Sequence, residues 1–288
     1  MAASFLASEL ERYGIQPAGE NGYFQAVPLA RVERGGRTRL ALPSETLSFD
    51  TLPEGSVLTG EVNVVGIIPG TDSLLKEEVV ILGAHFDHVG VGPAVEGDSI
   101  YNGADDDGSG TVAVLEIARE LVRTPPKRTV VVLLSTGEEG GILGTRWYLE
   151  RPALPLERTV ADLQIEMIAR PDSLAGGPGR AWLTGYERTT MGDLLAAAGS
   201  PIIPDPRPDQ RFFFRSDNIP FARKGIPAHT LSSFNLHADY HTPDDEVDRV
   251  DFAHMAAVVD AAVLAVRFLA DGARPAWKEG GREGLEGR

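Results

Sequence analysis

Histidine and acidic side chains occur in clusters where predicted strands end. His85 and Asp87 follow the apolar run at 79–84, which is typical of a buried strand. Three consecutive aspartates, residues 105–107, precede a helical pattern and lie between glycine-bearing turns. Imidazole nitrogens and carboxylate oxygens are among the side-chain ligands that divalent cations such as zinc use in proteins. A metal site at the carboxyl end of this strand is therefore our first hypothesis.

Three later segments also bring acids or imidazoles to strand ends. Open α/β sheets bind ligands outside the carboxyl ends of their strands, so these groups are expected to face one crevice. The strand predicted at 129–136 is followed by Glu138 and Glu139, the strand at 159–168 contains Glu166, and the strand at 226–232 precedes Tyr240 and His241.

Each cluster also has an explanation that requires no metal. A histidine at a strand end can be solvated or hydrogen-bonded, paired glutamates can stabilise a helix N-terminus, and the aspartates can cap a turn. Glu166 is harder to explain, because a carboxylate in an apolar strand is costly unless it is paired or bound to a metal. The acids would also repel one another, and two divalent ions would supply the missing positive charge.

The pattern of elements predicts the fold that positions these residues. Strands alternate with helices, which predicts an α/β three-layer sandwich with a mixed, largely parallel sheet covered by helices on both faces. We expect one domain over residues 1–270 and a flexible tail over 271–288, which is rich in Gly, Arg and Glu. Further predictions are helices at 1–14, 108–123, 140–150, 189–198 and 251–270, a hairpin at the sheet edge within 23–42, and strands at 61–68 and 181–185.

Composition excludes several classes of function. The 288 residues include no cysteine, so there is no disulfide and no thiolate ligand. Net charge is −15, from 27 basic and 42 acidic residues, which argues against nucleic acid as a partner. We expect no membrane span and no signal peptide, because no long apolar stretch and no basic start are evident. Compartment and oligomeric state stay open.

Six separated motifs resemble one enzyme family in their order and spacing. They are GAHFDHVG, YNGADDDGSG, STGEEGGILGT, IEMI, FFFRSDNIPFARKGIPA and DYHTPDDEVD. Together they closely resemble the co-catalytic zinc aminopeptidases, which are related to glutamate carboxypeptidase II, glutaminyl cyclases and the transferrin receptor. The resemblance covers about residues 1–270. It implies two Zn²⁺ ions, with other divalent ions possible, and peptide substrates with a free N-terminus.

The resemblance also implies a role for individual residues. His85 and Glu166 would bind one zinc, Glu139 and His241 would bind the other, and the Asp106 carboxylate would bridge them. The family holds the peptide bond after its bridging aspartate in the cis form, so the resemblance also implies a cis Asp106–Asp107 bond. Glu138 would be the general base and Tyr240 would steady the oxyanion, while Arg215 would contact substrate. Asp87, two residues after His85, is suited to hold that imidazole in place. Phe214 and Phe221, with the neighbouring Phe212 and Phe213, could line a pocket for the residue before the scissile bond.

Some features leave other interpretations open. Glu166 stands where these aminopeptidases often have Asp, and Asn218 replaces a common His. The phenylalanines could equally be packed in the core. The same metal site could serve a carboxypeptidase, an amidohydrolase or a glutaminyl cyclase-like acyltransferase, and some relatives are non-catalytic binding modules. No GxSxG, HExxH or GxGxxG motif is present, so serine hydrolases, zincins and dinucleotide-binding proteins lack support.

Overall fold

A nine-stranded sheet forms the centre of the molecule, and two separate hairpins lie beside it. The computed structural model describes residues 1–44 and 46–286. The strands in this described part are β1 Gln16–Pro17, β2 Phe24–Ala26, β3 Ala30–Arg34, β4 Arg37–Ala41, β5 Val62–Ile68, β6 Val79–His85, β7 Gly90–Val95, β8 Asp98–Tyr101, β9 Thr129–Ser135, β10 Thr159–Ile165, β11 Trp182–Leu183, β12 Ile203–Pro204 and β13 Ala228–Ser232.

The sheet is mixed, with a parallel centre. Its order is β1-β5-β9-β6-β10-β13-β11-β12, and β2 also pairs with β5. Strands β9, β6, β10 and β13 are parallel, whereas β5 and β11 join this group in antiparallel orientation. Every residue of β6, β9 and β10 is buried, as expected for parallel strands that are covered on both faces.

Helices cover both faces of the sheet, which confirms the predicted three-layer architecture. They are α1 Ala2–Arg12, α2 Gly110–Arg123, α3 Leu143–Glu150, α4 Met191–Ala197, α5 Asn218–Arg223 and α6 Phe252–Asp271. Because successive strand residues point to opposite faces, Val80 and Leu82 of β6 pack with α1, α2 and α6. Val79 and Ile81 pack with α3 and α5 instead.

One predicted strand and the predicted hairpin differ from the observed elements. Strand β10 ends at Ile165, so Glu166 follows the strand and is not inside it. Met167 has φ 50°, a left-handed conformation that an extended strand cannot continue through. The hairpin predicted at the sheet edge is divided: β2 joins the main sheet, and β3 and β4 form a separate two-stranded sheet.

Helix α6 corrects the expectation that no segment is apolar enough to cross a membrane. By length and composition alone, this helix could do so. In the structure, Val258, Ala262 and Leu269 are buried in the core that α6 shares with α2 and β6. One face of this apolar helix therefore packs in the core of the domain, whereas Phe252 and Leu264 are exposed.

The segment after α6 corrects the predicted flexible tail. Trp277 forms an isolated antiparallel β-bridge with Thr189, and the Nε1–H of its indole donates a hydrogen bond to the carbonyl of Gly225 at 2.7 Å. Leu285 is 5% exposed and belongs to the core on the α3 and α5 face. These apolar side chains bind the glycine-rich segment to the domain, at least as far as residue 286.

Candidate metal centre and active site

Parallel strands bring four groups to one edge of the sheet. His85 is the last residue of β6, Glu138 and Glu139 follow β9 after a short loop, and Glu166 directly follows β10. His241 lies in the long loop after β13. The carboxyl ends of neighbouring parallel strands face the same crevice, which explains why residues from distant segments meet here.

The first group of possible metal ligands consists of His85, Asp106 and Glu166. One donor atom from each lies within 4.8 Å of the others. The Nε2 atom of His85 is 3.3 Å from Oδ1 of Asp106. This nitrogen is buried and makes no hydrogen bond within the described part of the chain. A buried, unbonded imidazole nitrogen beside carboxylates fits a divalent cation between them.

The second group consists of His88, Asp106, Glu139 and His241, again with donor atoms within 4.8 Å of one another. Nε2 of His241 is 3.0 Å from both Oδ2 of Asp106 and Oε1 of Glu139. Asp106 thus presents Oδ1 to His85 in the first group and Oδ2 to His241 in the second. This geometry suits a carboxylate that bridges two cations.

The neighbours of Asp106 hold its main chain in place. The Asp106–Asp107 peptide bond is cis, as the family resemblance predicts. Asp105 accepts a hydrogen bond from the N–H of Ala169, and Asp107 accepts from the N–H of Met167. Both flanking carboxylates therefore attach the aspartate run to the segment after β10, and neither belongs to a ligand group.

Asp87 has a larger role than the sequence predicts. Nδ1 of His85 is 3.0 Å from the main-chain carbonyl of Asp87, which can only accept, so Nδ1 carries the proton and Nε2 is free for a metal. The Asp87 carboxylate lies farther away, 3.7 Å from Nδ1. Its oxygens accept hydrogen bonds from the main-chain N–H groups of Glu138 and Glu139. Asp87 therefore positions three residues of the site.

Burial and mutual repulsion shift the pKa values of the site. Burial raises the pKa of Glu138 well above its ordinary value, and nearby carboxylates add to the effect while His85 opposes it. Burial likewise raises the pKa of Glu166 to about 7. Burial lowers the pKa of His241, but hydrogen bonds to Asp106 and Glu139 outweigh this and raise it to about 9. The cluster is thus strongly biased towards binding positive charge.

An aromatic pocket opens beside the carboxylates. Its lining includes the carboxylates of Asp106, Glu138, Glu139 and Glu166 together with Met167, Trp182, Phe212, Phe234 and Tyr240. The rings of Trp182 and Phe212 stack at 5.2 Å, and Tyr240 stacks on His241 at 3.8 Å. Arg215 also borders the pocket, with its guanidinium 5.0 Å from the Phe212 ring.

The pocket corrects two predicted substrate contacts. Phe221 is fully buried and packs near Tyr148 in the core, because α5 turns this side chain towards the sheet. Phe214 lies outside the pocket, where Arg188 and Arg211 cover its ring. Asn218 is also structural, since its amide donates to the carbonyl of Phe213.

Sequence patterns missed several residues of the site. His88 follows His85 by three residues in GAHFDHVG, and this spacing is the one local feature that could have suggested a second imidazole. Met167, Trp182 and Phe234 come from three separate segments. Their apolar character is equally typical of a core, so only the fold reveals that they share a pocket.

Comparisons with known proteins identify a family and several relatives. The Peptidase family M28 model matches residues 63–266. Aminopeptidase YwaD of Bacillus subtilis is 23% identical over 222 residues, covering 71% of this chain and 44% of the relative. A probable leucine aminopeptidase 2 of Aspergillus fumigatus is 33% identical over 171 residues, covering 58% of this chain and 32% of the relative. The chain thus spans less than half the length of these curated relatives.

Solved structures share the fold. An aminopeptidase from Aneurinibacillus sp. strain AM-1 superposes with a TM-score of 0.57 at 25% identity, covering 74% of this chain and 49% of that one. A glutaminyl cyclase from Porphyromonas gingivalis gives 0.59 at 16% identity, covering 91% and 87%. The family model covers more than half of the chain, and it includes the two ligand groups and Glu138. The chain therefore belongs to peptidase family M28.

Proposed function

We propose that this protein is a zinc-dependent aminopeptidase that removes N-terminal residues from peptides. The observation that carries the proposal is the arrangement of two ligand groups that share Asp106 beside the carboxylate of Glu138. Two divalent cations held by these groups would polarise the scissile carbonyl and acidify the attacking water. The remaining steps depend on side chains of this chain.

Glu138 is suited to move the proton. It lies at the pocket wall, and the hydrogen bond from its main-chain N–H to Asp87 fixes its position. Burial raises its pKa well above the ordinary value for glutamate, which brings a carboxylate closer to neutral pH, where a general base is most effective. Glu138 would accept a proton from the attacking water and then deliver it to the leaving amine.

Tyr240 is suited to stabilise the oxyanion. Burial and the carboxylates of Asp106 and Glu139 raise the pKa of its hydroxyl, so the group stays protonated and can donate a hydrogen bond. Its ring stacks on His241 and packs near Phe234 at 5.1 Å, which restrains the position of the hydroxyl.

The pocket and the carboxylates that border it favour a substrate with a free N-terminus. The aromatic walls formed by Trp182, Phe212 and Phe234 suit one apolar side chain, the first residue of the peptide. Carboxylates of Glu139 and Glu166 border the same space and attract an ammonium group. A wider groove of about 530 Å³, bordered by His88 and Gly137, offers room for the rest of the peptide.

The proposal is tested by assaying the zinc-reconstituted protein on a panel of aminoacyl and N-acyl peptides. We expect release of apolar N-terminal residues from free-amine peptides and no cleavage of the N-acylated forms. A preference for N-acyl peptides would contradict the proposal and indicate a carboxypeptidase or amidohydrolase. Cyclisation of N-terminal glutamine without hydrolysis would indicate an acyltransferase, and failure to bind zinc would indicate a binding module.

A further inference from the structure

We propose that Arg31 and Arg39 bind the C-terminal carboxylate of the peptide, so that dipeptides and tripeptides are the preferred substrate class. Both arginines border the wide groove that adjoins the metal centre. The proposal rests on the aminopeptidase function proposed above, which places the amino end of the peptide in the aromatic pocket. It adds recognition of the opposite end of the peptide and, with it, a limit on peptide length.

The groove connects the metal centre with the hairpin formed by β3 and β4. Its lining contains His88 together with Arg31 and Arg39. Nδ1 of His88 is 3.1 Å from Oε1 of Glu139, one of the possible metal ligands. The volume of the groove is about 530 Å³, which lies within the range of sites that enclose small ligands. A short peptide that extends from the metal centre into this groove therefore has the two arginines among its neighbours.

Contacts with the loop that carries the proposed base hold the hairpin in place. Gly140 lies two residues after Glu138, and a Cβ on Gly140 would be only 3.1 Å from Cδ1 of Leu40 in β4. Leu40 pairs with Arg31 across the hairpin, so their side chains project from the same face. The main-chain N–H of Arg31 donates to the carbonyl of Ser56 at 2.8 Å. Arg31 thus extends from a strand that has neighbours on both sides.

The hairpin is basic in a protein that is acidic overall. Residues 30–41 contain four arginines and one glutamate, whereas the whole chain carries a net charge of −15. The glutamate, Glu33, accepts a hydrogen bond from Thr38 across the hairpin. Neither Arg31 nor Arg39 forms an ion pair within the described part of the chain. A guanidinium group binds a carboxylate through two parallel hydrogen bonds, so these arginines suit a peptide terminus.

The charges on the two sides of the metal centre fit both ends of a short peptide. Glu139 and Glu166 border the aromatic pocket and attract the ammonium group. Two acids, Glu61 and Asp87, also border the groove. Asp87 accepts hydrogen bonds from the main-chain N–H groups of Glu138 and Glu139, so its negative charge is already stabilised within the protein. Glu61 is the acid that can compete for the arginines, and the two guanidinium groups outnumber it. A long peptide carries its carboxylate beyond the groove and loses this contact.

The experiment measures peptide binding and does not depend on turnover. Isothermal titration calorimetry on zinc-loaded Glu138→Gln compares the dipeptide Leu-Ala and the tripeptide Leu-Ala-Ala with their C-terminal amides. We expect the acids to bind about tenfold more tightly than the amides. For a peptide of about eight residues that begins with Leu, acid and amide should bind equally. With Arg31→Gln and Arg39→Gln added, the short acids should bind only as tightly as their amides.

Arg37→Gln, also added to Glu138→Gln, is the matched control. Arg37 belongs to the same hairpin and its replacement removes the same charge, but it does not border the groove. The preference for short acids should therefore persist in this variant. Affinity for the amides should be the same in all variants, which reports that the fold and the metal centre are intact.

Three results would overturn the inference. One is equal or undetectable binding of the short acids and amides when both arginines are present. Another is an unchanged preference for acids when both arginines are replaced, because the carboxylate would then bind elsewhere. The third is an equal loss of preference in Arg37→Gln, which would indicate a general effect of charge. If the short acids bind as expected and the wild type cleaves no peptide, the inference stands and the proposed aminopeptidase function fails. If the wild type cleaves free-amine peptides of every length with equal kcat/KM, the function stands and the inference fails.

Discussion

Asp245 accepts a hydrogen bond from the main-chain N–H of Asp106, with 3.0 Å between nitrogen and Oδ2. The same carboxylate accepts from the N–H of Asp105 and pairs with Arg170 at 3.2 Å. Asp245 is fully buried and 139 residues away from Asp106 in sequence. A residue outside both ligand groups thus fixes the main chain of the carboxylate that the two groups share.

Replacing Asp245 with Asn should therefore weaken both stability and metal binding. The amide has one oxygen to accept with, and its NH₂ would face N–H donors, so buried donors lose partners. We expect the free energy of unfolding to fall by about 2–4 kcal/mol, measured by urea denaturation. The affinity of both metal sites should also fall. Asp244→Asn, at an exposed neighbour, is the matched control and should change neither quantity.

Glu138→Gln should separate chemistry from metal binding. The amide cannot accept a proton from water, so kcat should fall by about 10²–10⁴-fold. Metal content measured by mass spectrometry should be unchanged, because Glu138 belongs to neither ligand group. Near-normal turnover in this variant would contradict the role of Glu138 as the base.

Asp106→Ala should weaken metal binding at both sites, whereas substitutions of the other ligand carboxylates should weaken it at one. Asp106 is shared by the two groups, so its loss should reduce the affinity of both sites in a zinc titration. Glu166→Ala and Glu139→Ala should each weaken one site only. If all three variants lost the same single site, Asp106 would not be a bridging ligand.

Phe212→Leu and Phe221→Leu make the same chemical change in two different places. Phe212 borders the aromatic pocket, so its loss should alter relative kcat/KM values for large and small N-terminal residues by about tenfold. Phe221 is in the core, so its loss should lower stability without changing that preference. An altered preference in the Phe221 variant alone would argue against the assigned pocket.

His229, which belongs to neither ligand group, should make the stability of the protein depend on pH. Burial lowers its pKa from 6.5 to about 4, and its ring bonds to Thr184 and Thr189. The unfolded chain therefore binds the extra proton more readily than the folded protein. The contribution of His229 to the free energy of unfolding is fully present above pH 6.5. We expect it to be lost progressively as the pH falls towards 4, by about 3 kcal/mol in total.

Urea denaturation of wild type and His229→Gln at several pH values between 4 and 7 tests this. The variant is expected to be less stable at pH 7, because buried hydrogen bonds change, but its stability should vary less over this range. Equal slopes for the two proteins would show that His229 is not the titrating group.

The sequence by itself determined the layered fold and the segments that contribute to the site. Continuous apolar runs indicate buried parallel strands, and parallel strands must end at one edge of the sheet. His85, Glu138 and Glu139 could therefore be placed together from the residues that follow each run, and Glu166 was expected inside the strand predicted at 159–168. Motif resemblance added Asp106 and His241, and the structure brings all six side chains to one crevice.

Tertiary structure alone decided which apolar and imidazole side chains face that crevice. Trp182, Phe212 and Phe221 are all apolar and all buried, yet Trp182 and Phe212 border the pocket and Phe221 does not. Trp277 and Leu285 likewise pack against the domain despite their glycine-rich surroundings. His88 joins Glu139 and His241 because the loop after β6 turns its ring inwards. The free energy gained by burying an apolar side chain is roughly proportional to its area and has no preferred direction. The apolar character of a residue therefore does not tell which surface it will face, and the packing of segments that are distant in sequence decides this.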